Sequence, residues 1–437
     1  MIRLWLVFVL TVIAAAPLRA AVDIQEVASP GGINAWLVEE HSIPFVALEI
    51  RFKGGASLDP SDTRGATNLM TGLIEEGAGD MDARAFAEAR DALAASFDFD
   101  VWDDALSVSA KFLTDNQDEA VALLREALVN PRFDDDAVER VRAQVLSVIR
   151  SDATDPNTIA NRTFDAMLYG DHPYATSRAG TLESVGALTR DDIVAAHRAV
   201  LARDRVYVGA SGDITAEELG ALLDDLLGDL PAVGALLPGD VAPRTKGGVT
   251  VVPFETPQSV ALFGHEGIPR DDPDFFPAFV ANEVFGGNGR QSRLSLEVRE
   301  ERGLTYSVGS FLVNYDHADM LLGQFASAND RVAAAIDVVK DEWAKIAAEG
   351  VSETELEEVK TYLTGAYPLR FDGNGQIARI LVGMQTVGLT PDYITTRNDQ
   401  VNAVTLGDVK RVVKRIYQPD NLHFIVVGQP EGLESTN

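Results

Sequence analysis

Two segments of the chain share one pattern, and that pattern decides the fold. The first reads SVGALTRDDI (184–193), continues through a helical stretch and ends in RVYVGASGD (205–213). The second reads QVNAVTLGDV (400–409), continues in the same way and ends in NLHFIVVGQP (421–430). Each copy has a threonine at a helix N-cap, an acidic residue in the first helical turn, and a β-branched strand that ends in glycine. The chain therefore contains a divergent internal repeat.

Both halves also open with strands. Strand patterns occur at residues 47–52, 249–252 and 260–263, and long helical patterns follow at 118–124 and 333–339. Strands followed by runs of helices, occurring twice, predict an α+β protein with two homologous α/β-sandwich domains that arose by internal duplication.

The chain has 437 residues, well beyond the roughly 250 to 300 at which one hydrophobic core stops growing. The segment 228–248 contains three prolines and five glycines, which is typical of a linker. We therefore predict a first domain over residues 22–227 and a second over residues 249–437.

The N-terminus has the layout of a secretory signal peptide. Arg3 precedes an apolar run from Leu4 to Ala16, and small residues follow at Ala20 and Ala21. Because a span of the bilayer needs roughly 20 apolar residues, this run is too short to be a retained anchor. We predict that residues 1–20 are removed, that the protein has no stable membrane insertion, and that it is periplasmic.

Composition excludes several classes of function. The formal net charge of −30 disfavours nucleic acid and anionic lipid as partners, although an acidic surface also simply aids solubility. The chain has no cysteine, which excludes disulfides, thiolate metal sites and a cysteine nucleophile. Its six histidines are scattered, and no pair has metal-ligand spacing.

One first-half segment carries a family resemblance. The sequence GATNLMTGLIEEG (65–77) follows a strand and a glycine-containing loop at the start of what we predict to be the first long helix. This arrangement resembles the pitrilysin and mitochondrial-processing-peptidase family of inverzincin zinc peptidases. Its active members carry the motif His-x-x-Glu-His at this point, in which two histidines hold zinc and the glutamate activates water. The resemblance implies that both domains are metallopeptidase-like.

The zinc motif itself is missing. By the alignment that the resemblance gives, Asn68, Thr71 and Gly72 stand at the motif positions, and Val148 stands where active members have a third ligand, a glutamate on a later helix. An amide is a poor zinc ligand, threonine is no base at neutral pH, and glycine and valine offer no donor. We therefore expect no metal in this chain.

The second half retains a longer motif. NEVFGGNGRQSRL (282–294) runs into EVREERGLTYSV (297–308), which includes the family pattern Arg-x-x-x-Gly-Leu-x-Tyr. By resemblance, Arg299 and Tyr306 correspond to the second-domain pair that reaches the substrate at the zinc. A structural alternative is that Arg299 forms a surface salt bridge with Glu300 or Glu301 while Tyr306 packs at a strand start.

The glycine-rich run before this motif has two interpretations. Gly286, Gly287, Asn288 and Gly289 form either a tight turn alone or a loop that a bound peptide approaches closely. We assign them as candidate substrate-binding residues. Arg293 is equally well explained as an anchor of a helix N-terminus.

These observations lead to a functional hypothesis. The resemblance implies a zinc-free subunit of a heterodimeric peptidase, whose homologous partner carries the zinc and whose substrates are peptides or unfolded polypeptides. Such substrates are expected to add as a strand to a sheet edge. One alternative is a peptide-binding or scaffold protein of the envelope without proteolysis. Another, a peptidase with an unrecognised metal site, requires ligands that the sequence does not offer.

Overall fold

The computed structural model describes residues 23–287 and 289–436, so the predicted signal peptide and Asn288 lie outside the described residues. The described residues form two large mixed sheets, each with helices packed on both faces. The strands are β1 Gln25–Ala28, β2 Asn34–Glu39, β3 Phe45–Lys53, β4 Gly77–Ala78, β5 Met81–Asp82, β6 Ser96–Val101, β7 Ala105–Leu113, β8 Val206–Gly212, β9 Gly248–Pro253, β10 Gln258–Glu266, β11 Val308–Asn314, β12 Asp319–Ala328 and β13 His423–Gly428.

The α-helices follow the duplicated pattern that the sequence predicts. They are α1 Ala66–Thr71, α2 Ala83–Ala92, α3 Gln117–Val129, α4 Asp135–Asp152, α5 Pro156–Tyr169, α6 Leu182–Ala187, α7 Arg190–Val200, α8 Ala216–Leu227, α9 Phe275–Asn282, α10 Val332–Glu349, α11 Glu353–Ala366, α12 Asn374–Thr386, α13 Tyr393–Ala403 and α14 Leu406–Ile416. Glu283–Gly287 and Ser295–Glu300 are π-helical.

The two sheets share one topology over five strands, and the first sheet has β1 in addition, which confirms the internal duplication. The first has the order β1-β2-β8-β3-β7-β6, and the second, read in the same direction, has the order β9-β13-β10-β12-β11. In both, a strand that follows a capped helix pairs in parallel with a strand near the start of its repeat, β8 with β2 and β13 with β9. The threonine caps are present in both repeats, because Thr189 forms a capping box with Asp192 and Thr405 forms one with Asp408.

Each sheet buries one face on helices of its own half. In β2, Ala35 and Leu37 face the core of the first half, whereas Trp36 and Val38 point to the opposite face. This alternation follows from the two-residue period of a strand. The opposite face of each sheet would therefore remain apolar and exposed if nothing covered it.

The two halves cover these faces reciprocally. Helix α12 of the second half lies on β8, β3 and β2, and its Leu381 and Met384 pack on Trp36 and Val38. Helix α5 of the first half lies on β10 and β13, where Phe164 joins a separate apolar cluster. The predicted boundary in sequence therefore differs from the boundary in packing, because α5 belongs to the first half by sequence and to the second sheet by contact.

The segment between the halves is held in place along its length. Residues 228–247 contain no helix or strand, yet backbone amides of this segment donate to Ala199 on one half and to His317 and Asp420 on the other. A loop with such anchors restricts the relative motion of the halves more than a free linker does. In the part of the chain that the structure describes, no helix has the length and apolar composition of a membrane span.

Candidate functional site

Helix α1 presents the degenerate zinc-motif positions. The buried Asp59 carboxylate fixes its start by accepting hydrogen bonds from the amides of Gly65 at 2.9 Å and Thr67 at 3.0 Å. The helix is one and a half turns long rather than the long helix expected from sequence, because it ends at Thr71 with Gly72 as its C-cap. Thr71 donates its hydroxyl to Thr67 O at 2.8 Å, so this side chain is satisfied within its own helix.

The four degenerate positions meet at one cavity of about 930 Å³. Asn68, Thr71 and Gly72 line it from α1, and Val148 lines it from α4 with 55% of its surface exposed. Over residues 23–287 and 289–436, no group of three or more His, Cys, Asp or Glu side chains is placed to hold a metal ion. The residues at the family's zinc position therefore do not fit zinc.

Carboxylates that the sequence did not single out dominate one wall of this cavity. Asp103 and Asp165 line it together with Asp152, which pairs with Arg162 at 3.5 Å. Burial, and then the like charge of Asp103, raise the pKa of Asp165 to about 7. Asp165 stands four residues before the buried Tyr169 in α5, so the sequence could have predicted that the two share a helix face. The proximity of Asp103 could not be predicted, because Asp103 is remote in sequence.

An edge strand runs along the same cavity. Phe99, Asp100 and Val101 of β6 line it, and β6 pairs with β7 on one side only. The outer backbone amides and carbonyls of an edge strand can pair with an added peptide strand. The alternation of Phe97 and Phe99 with aspartates is the sequence signal for this strand.

Arg299 and Tyr306 lie together in the second half. The Arg299 guanidinium carbon is 5.1 Å from the centre of the Tyr306 ring, which is a cation–π contact. Arg299 Nε also lies 3.6 Å from Glu300 Oε1, as the structural alternative expects. Tyr306, however, does not pack at the strand start, because it is 82% exposed.

The turn before β11 holds Tyr306 outward. The Thr305 hydroxyl donates to Ala326 O at 2.6 Å, and the Ser327 hydroxyl donates to Leu304 O at 2.6 Å. Both bonds tie the turn to β12, so the two residues before the tyrosine are fixed while the ring itself faces solvent. Arg299 and Tyr306 are not part of the lining of the cavity at α1, whose residues all lie between Asn68 and Ala179.

The glycine-rich run divides into a packed part and an exposed part. A methyl group on Gly286 would lie 2.2 Å from Ser310 Oγ, so this buried glycine allows the π-helical segment to pack against β11. Close packing is therefore sufficient to account for Gly286, and its contact with substrate stays a prediction. Gly287 and Gly289 are exposed, and their contact with substrate stays a prediction.

Arg293 has a structural partner. Its Nε and Nη2 atoms donate to the two carboxylate oxygens of Glu355 at 2.5 and 2.7 Å. Partial burial raises the pKa of Glu355, but hydrogen bonds from Arg293 and Ser352 outweigh this effect and lower the pKa to about 2. The pair therefore anchors the loop after the π-helix to the N-terminus of α11.

A duplicated α/β sandwich in which the residues at the zinc position offer no zinc ligands defines a protein of the metallopeptidase fold with a degenerate zinc motif. Residues 35–182 match the family model described as Insulinase (Peptidase family M16), and residues 187–363 match the model described as Peptidase M16 inactive domain. The chain belongs to the M16 family, the pitrilysin and processing-peptidase family of the resemblance.

Relatives and solved structures agree with this assignment. The chain is 26% identical over 394 residues to a Helicobacter pylori protein named "Non-peptidase homolog YmxG", covering 89% of this chain and 90% of that protein. It is 28% identical over 358 residues to an uncharacterized zinc protease of Mycobacterium leprae, covering 80% of each chain. A peptidase M16 inactive domain from Pseudomonas fluorescens superposes with a TM-score of 0.88 at 25% identity, covering 95% of this chain and 100% of that one.

A second structure supports the fold alone. A protease from Helicobacter pylori superposes with a TM-score of 0.82 at 15% identity, covering 93% of this chain and 99% of that chain. Taken with the four replaced ligand positions, these findings identify the chain as an inactive M16-type homologue, consistent with a non-catalytic protein.

Proposed function

We propose that this chain is the zinc-free subunit of a heterodimeric periplasmic zinc peptidase. In this proposal it supplies Arg299 and Tyr306 to the active site of a homologous partner that carries His-x-x-Glu-His. The observation that carries the proposal is the outward projection of Tyr306, 82% exposed and in contact with the Arg299 guanidinium. A tyrosine combines an apolar ring with a polar hydroxyl, which suits a residue that meets another surface.

The chemistry of the pair fits a supporting role in peptide hydrolysis. An arginine fork donates to peptide carbonyls and so holds a peptide in register. A tyrosine hydroxyl donates a hydrogen bond to the oxyanion that develops at the scissile carbonyl, which is typically worth about 3 kcal/mol. The partner's zinc would supply the activated water, since residues 23–287 and 289–436 offer no group placed to hold a metal ion.

Substrate binding by strand addition is consistent with the first half. The cavity of about 930 Å³ is bounded by the edge strand β6, whose Asp98 and Asp100 are exposed. A peptide that pairs with this edge gains backbone hydrogen bonds without strong sequence preference. The acidic wall would favour basic segments. The substrates proposed are therefore short or unfolded polypeptides.

The same observations support a second candidate function. The cavity and the β6 edge belong to this chain alone and need no metal to bind a peptide. A non-proteolytic peptide-binding or scaffold protein of the envelope would use them without Arg299 and Tyr306. The two candidate functions differ in whether Arg299 and Tyr306 are required.

The deciding experiment is peptide hydrolysis by this chain, by a His-x-x-Glu-His homologue from the same organism, and by their mixture. We expect activity in the mixture only. Arg299→Ala and Tyr306→Phe should each lower kcat of the mixture by about 10² or more. Arg302→Ala, in the same turn, and Tyr362→Phe, an exposed tyrosine on α11, are the matched controls and should leave kcat unchanged.

Assembly must be measured separately from catalysis. Sedimentation of the mixture should show a heterodimer for the wild type and for both site variants. If the homologue is equally active alone while this chain still binds peptide, the scaffold function replaces the subunit function. Chelator-sensitive activity of this chain alone would contradict both.

A further inference from the structure

A second cavity, of about 440 Å³, lies in the second half where α12 leaves its own domain to cover the other sheet. It is bounded by α9, by the 3₁₀ turn Tyr367–Arg370, by α12 and by α13. Its lining is mainly aromatic and aliphatic, and the ionisable cations on it are all arginines: Arg270, Arg370, Arg379 and Arg397. No aspartate or glutamate is part of the lining.

Among the described residues, these four arginines form no salt bridge, although the chain is strongly acidic. The sequence contains 67 acidic residues, yet across residues 23–287 and 289–436 no carboxylate oxygen lies within 4.0 Å of any of the four guanidinium groups. Neighbouring arginines behave differently, because Arg411 pairs with Asp274 at 2.6 Å and Arg415 pairs with Asp272 at 2.6 Å. The cavity thus gathers four arginines without a carboxylate among its lining residues, while two arginines close to it on α14 are paired.

The two inner guanidinium groups are held by aromatic rings. Arg270 lies 4.1 Å from the centre of the Phe275 ring and donates to the Tyr393 hydroxyl at 3.0 Å. Arg397 is only 5% exposed, and its guanidinium carbon lies 4.7 Å from the centre of the Tyr367 ring. Burial lowers the pKa of Arg397. Arg397 Nη1 donates to Leu363 O at 2.8 Å and to Asn398 Oδ1 at 3.1 Å, so its partners are neutral acceptors. A bound anion would add a charge-assisted partner for this buried cation.

We propose that this cavity binds a small organic carboxylate with an apolar body. Guanidinium groups bind carboxylates with paired, charge-assisted hydrogen bonds, and the aromatic lining accepts the apolar body. The volume lies within the range of roughly 300 to 1,000 Å³ that small-molecule sites occupy. A purely inorganic anion would leave the apolar lining without a partner. The exposed Arg370 and Arg379 then attract the anion to the entrance of the cavity.

This ligand site is independent of the proposed peptidase function. None of its residues is part of the Arg299–Tyr306 pair or of the cavity at α1. A binding measurement therefore tests this proposal separately from the proposed peptidase function.

Calorimetric titration of the full mature chain with decanoate, below its critical micelle concentration, is the first test. Decanol and decyltrimethylammonium have the same alkyl chain without the carboxylate, and both should bind at least tenfold more weakly than decanoate. N-acetylphenylalanine and its amide distinguish the source of the carboxylate, since tighter binding of the acid than of decanoate indicates a peptide C-terminus rather than a fatty acid. Equal affinity for decanoate and decanol would overturn the proposal.

Variants locate the site. Gly383 lies on α12 at the cavity, and a side chain built there meets no atom within 4 Å, so Gly383→Leu should fill the cavity and weaken decanoate binding at least tenfold. Gly365→Leu on α11 is the matched control, because that glycine is also unobstructed and does not line the cavity. Arg379→Gln should weaken decanoate binding without changing decanol binding. Unchanged decanoate binding in Gly383→Leu would place any binding elsewhere and refute the assignment.

Discussion

Thr71 lines the cavity at α1, and its hydroxyl donates to Thr67 O within its own helix. Its identity alone excludes it as a general base, and the sequence was sufficient for that conclusion. The structure adds that Asn68, Thr71, Gly72 and Val148 line one cavity although Val148 is remote in sequence. The raised pKa of Asp165 could not be read from sequence, because it depends on burial and on Asp103, which a different element brings close.

Because Asn68, Thr71, Gly72 and Val148 line one cavity, we predict that substitutions at these positions can restore a metal site. The variant Asn68→His/Thr71→Glu/Gly72→His/Val148→Glu should bind zinc stoichiometrically, because two histidines one helical turn apart and a glutamate from α4 would face the same cavity. Val141→Ala makes room, since a methyl group on Gly72 would lie 3.1 Å from Val141 Cγ1. Zinc retained after dialysis is the measurement, and the variant without Val148→Glu is the control. No retained zinc in the full variant would contradict the placement of these positions.

Asp165 makes stability depend on pH in a defined direction. Its pKa is raised from the ordinary 3.8 to about 7, so between these values the native state binds more protons and stability falls as pH rises. Asp165→Asn removes this titration. Its stability relative to the wild type should increase by about 2 kcal/mol between pH 5 and pH 8 in urea unfolding. Asp171→Asn, at an exposed position nearby, should show no such trend. Parallel pH profiles for Asp165→Asn and the wild type would refute the shift.

At the scale of elements, the repeat was the most informative sequence signal. The strand patterns at 47–52, 249–252 and 260–263 are confirmed in β3, β9 and β10, and both threonine caps are present. Residues close in sequence determine such features, because an N-cap hydrogen bond and the alternation of side chains along a strand each involve only a few neighbouring residues. The packing of α5 could not be predicted, because Ala160, Phe164 and Leu168 define an apolar face without specifying the sheet that it meets.

The ion pair between Arg293 and Glu355 joins two elements and predicts a loss of stability in acid. The lowered pKa of Glu355, about 2 against an ordinary 4.5, stabilises the fold above pH 4.5, and this contribution disappears as pH falls from 4.5 towards 2. Arg293→Ala should cost about 2 kcal/mol at pH 7 and clearly less at pH 3, allowing for the 30% exposure of the Glu355 side chain. Arg302→Ala, which breaks an exposed pair with Glu297, should cost far less stability than Arg293→Ala at pH 7, because solvent screens an exposed pair. An equal cost of Arg293→Ala at both pH values would contradict this assignment.

In the protein as a whole, α5 of the first half packs on the second sheet, and α12 of the second half packs on the first sheet. Each half therefore contributes to the core of the other. Gly209 of β8 allows α12 to approach closely, because a methyl group there would lie 2.5 Å from Ala378 O. The strand and helix are thus in contact at backbone level. The apolar face around Trp36 would be exposed if α12 withdrew, which makes independent unfolding of either half unfavourable.

We therefore predict that the two halves unfold as one cooperative unit. Hydrogen–deuterium exchange in a urea series should give one common midpoint for peptides from β3 and from β12. Leu381→Ala removes a fully buried side chain of α12 and should cost about 3 kcal/mol. Because Leu381 packs on the first sheet, the midpoint of β3 should fall together with that of β12, although the substitution lies in the second half. Leu369→Ala, at a position that is 78% exposed, is the control and should shift neither midpoint. A fall of the β12 midpoint alone would mean that the sheets unfold separately and that the exchanged helices do not couple them.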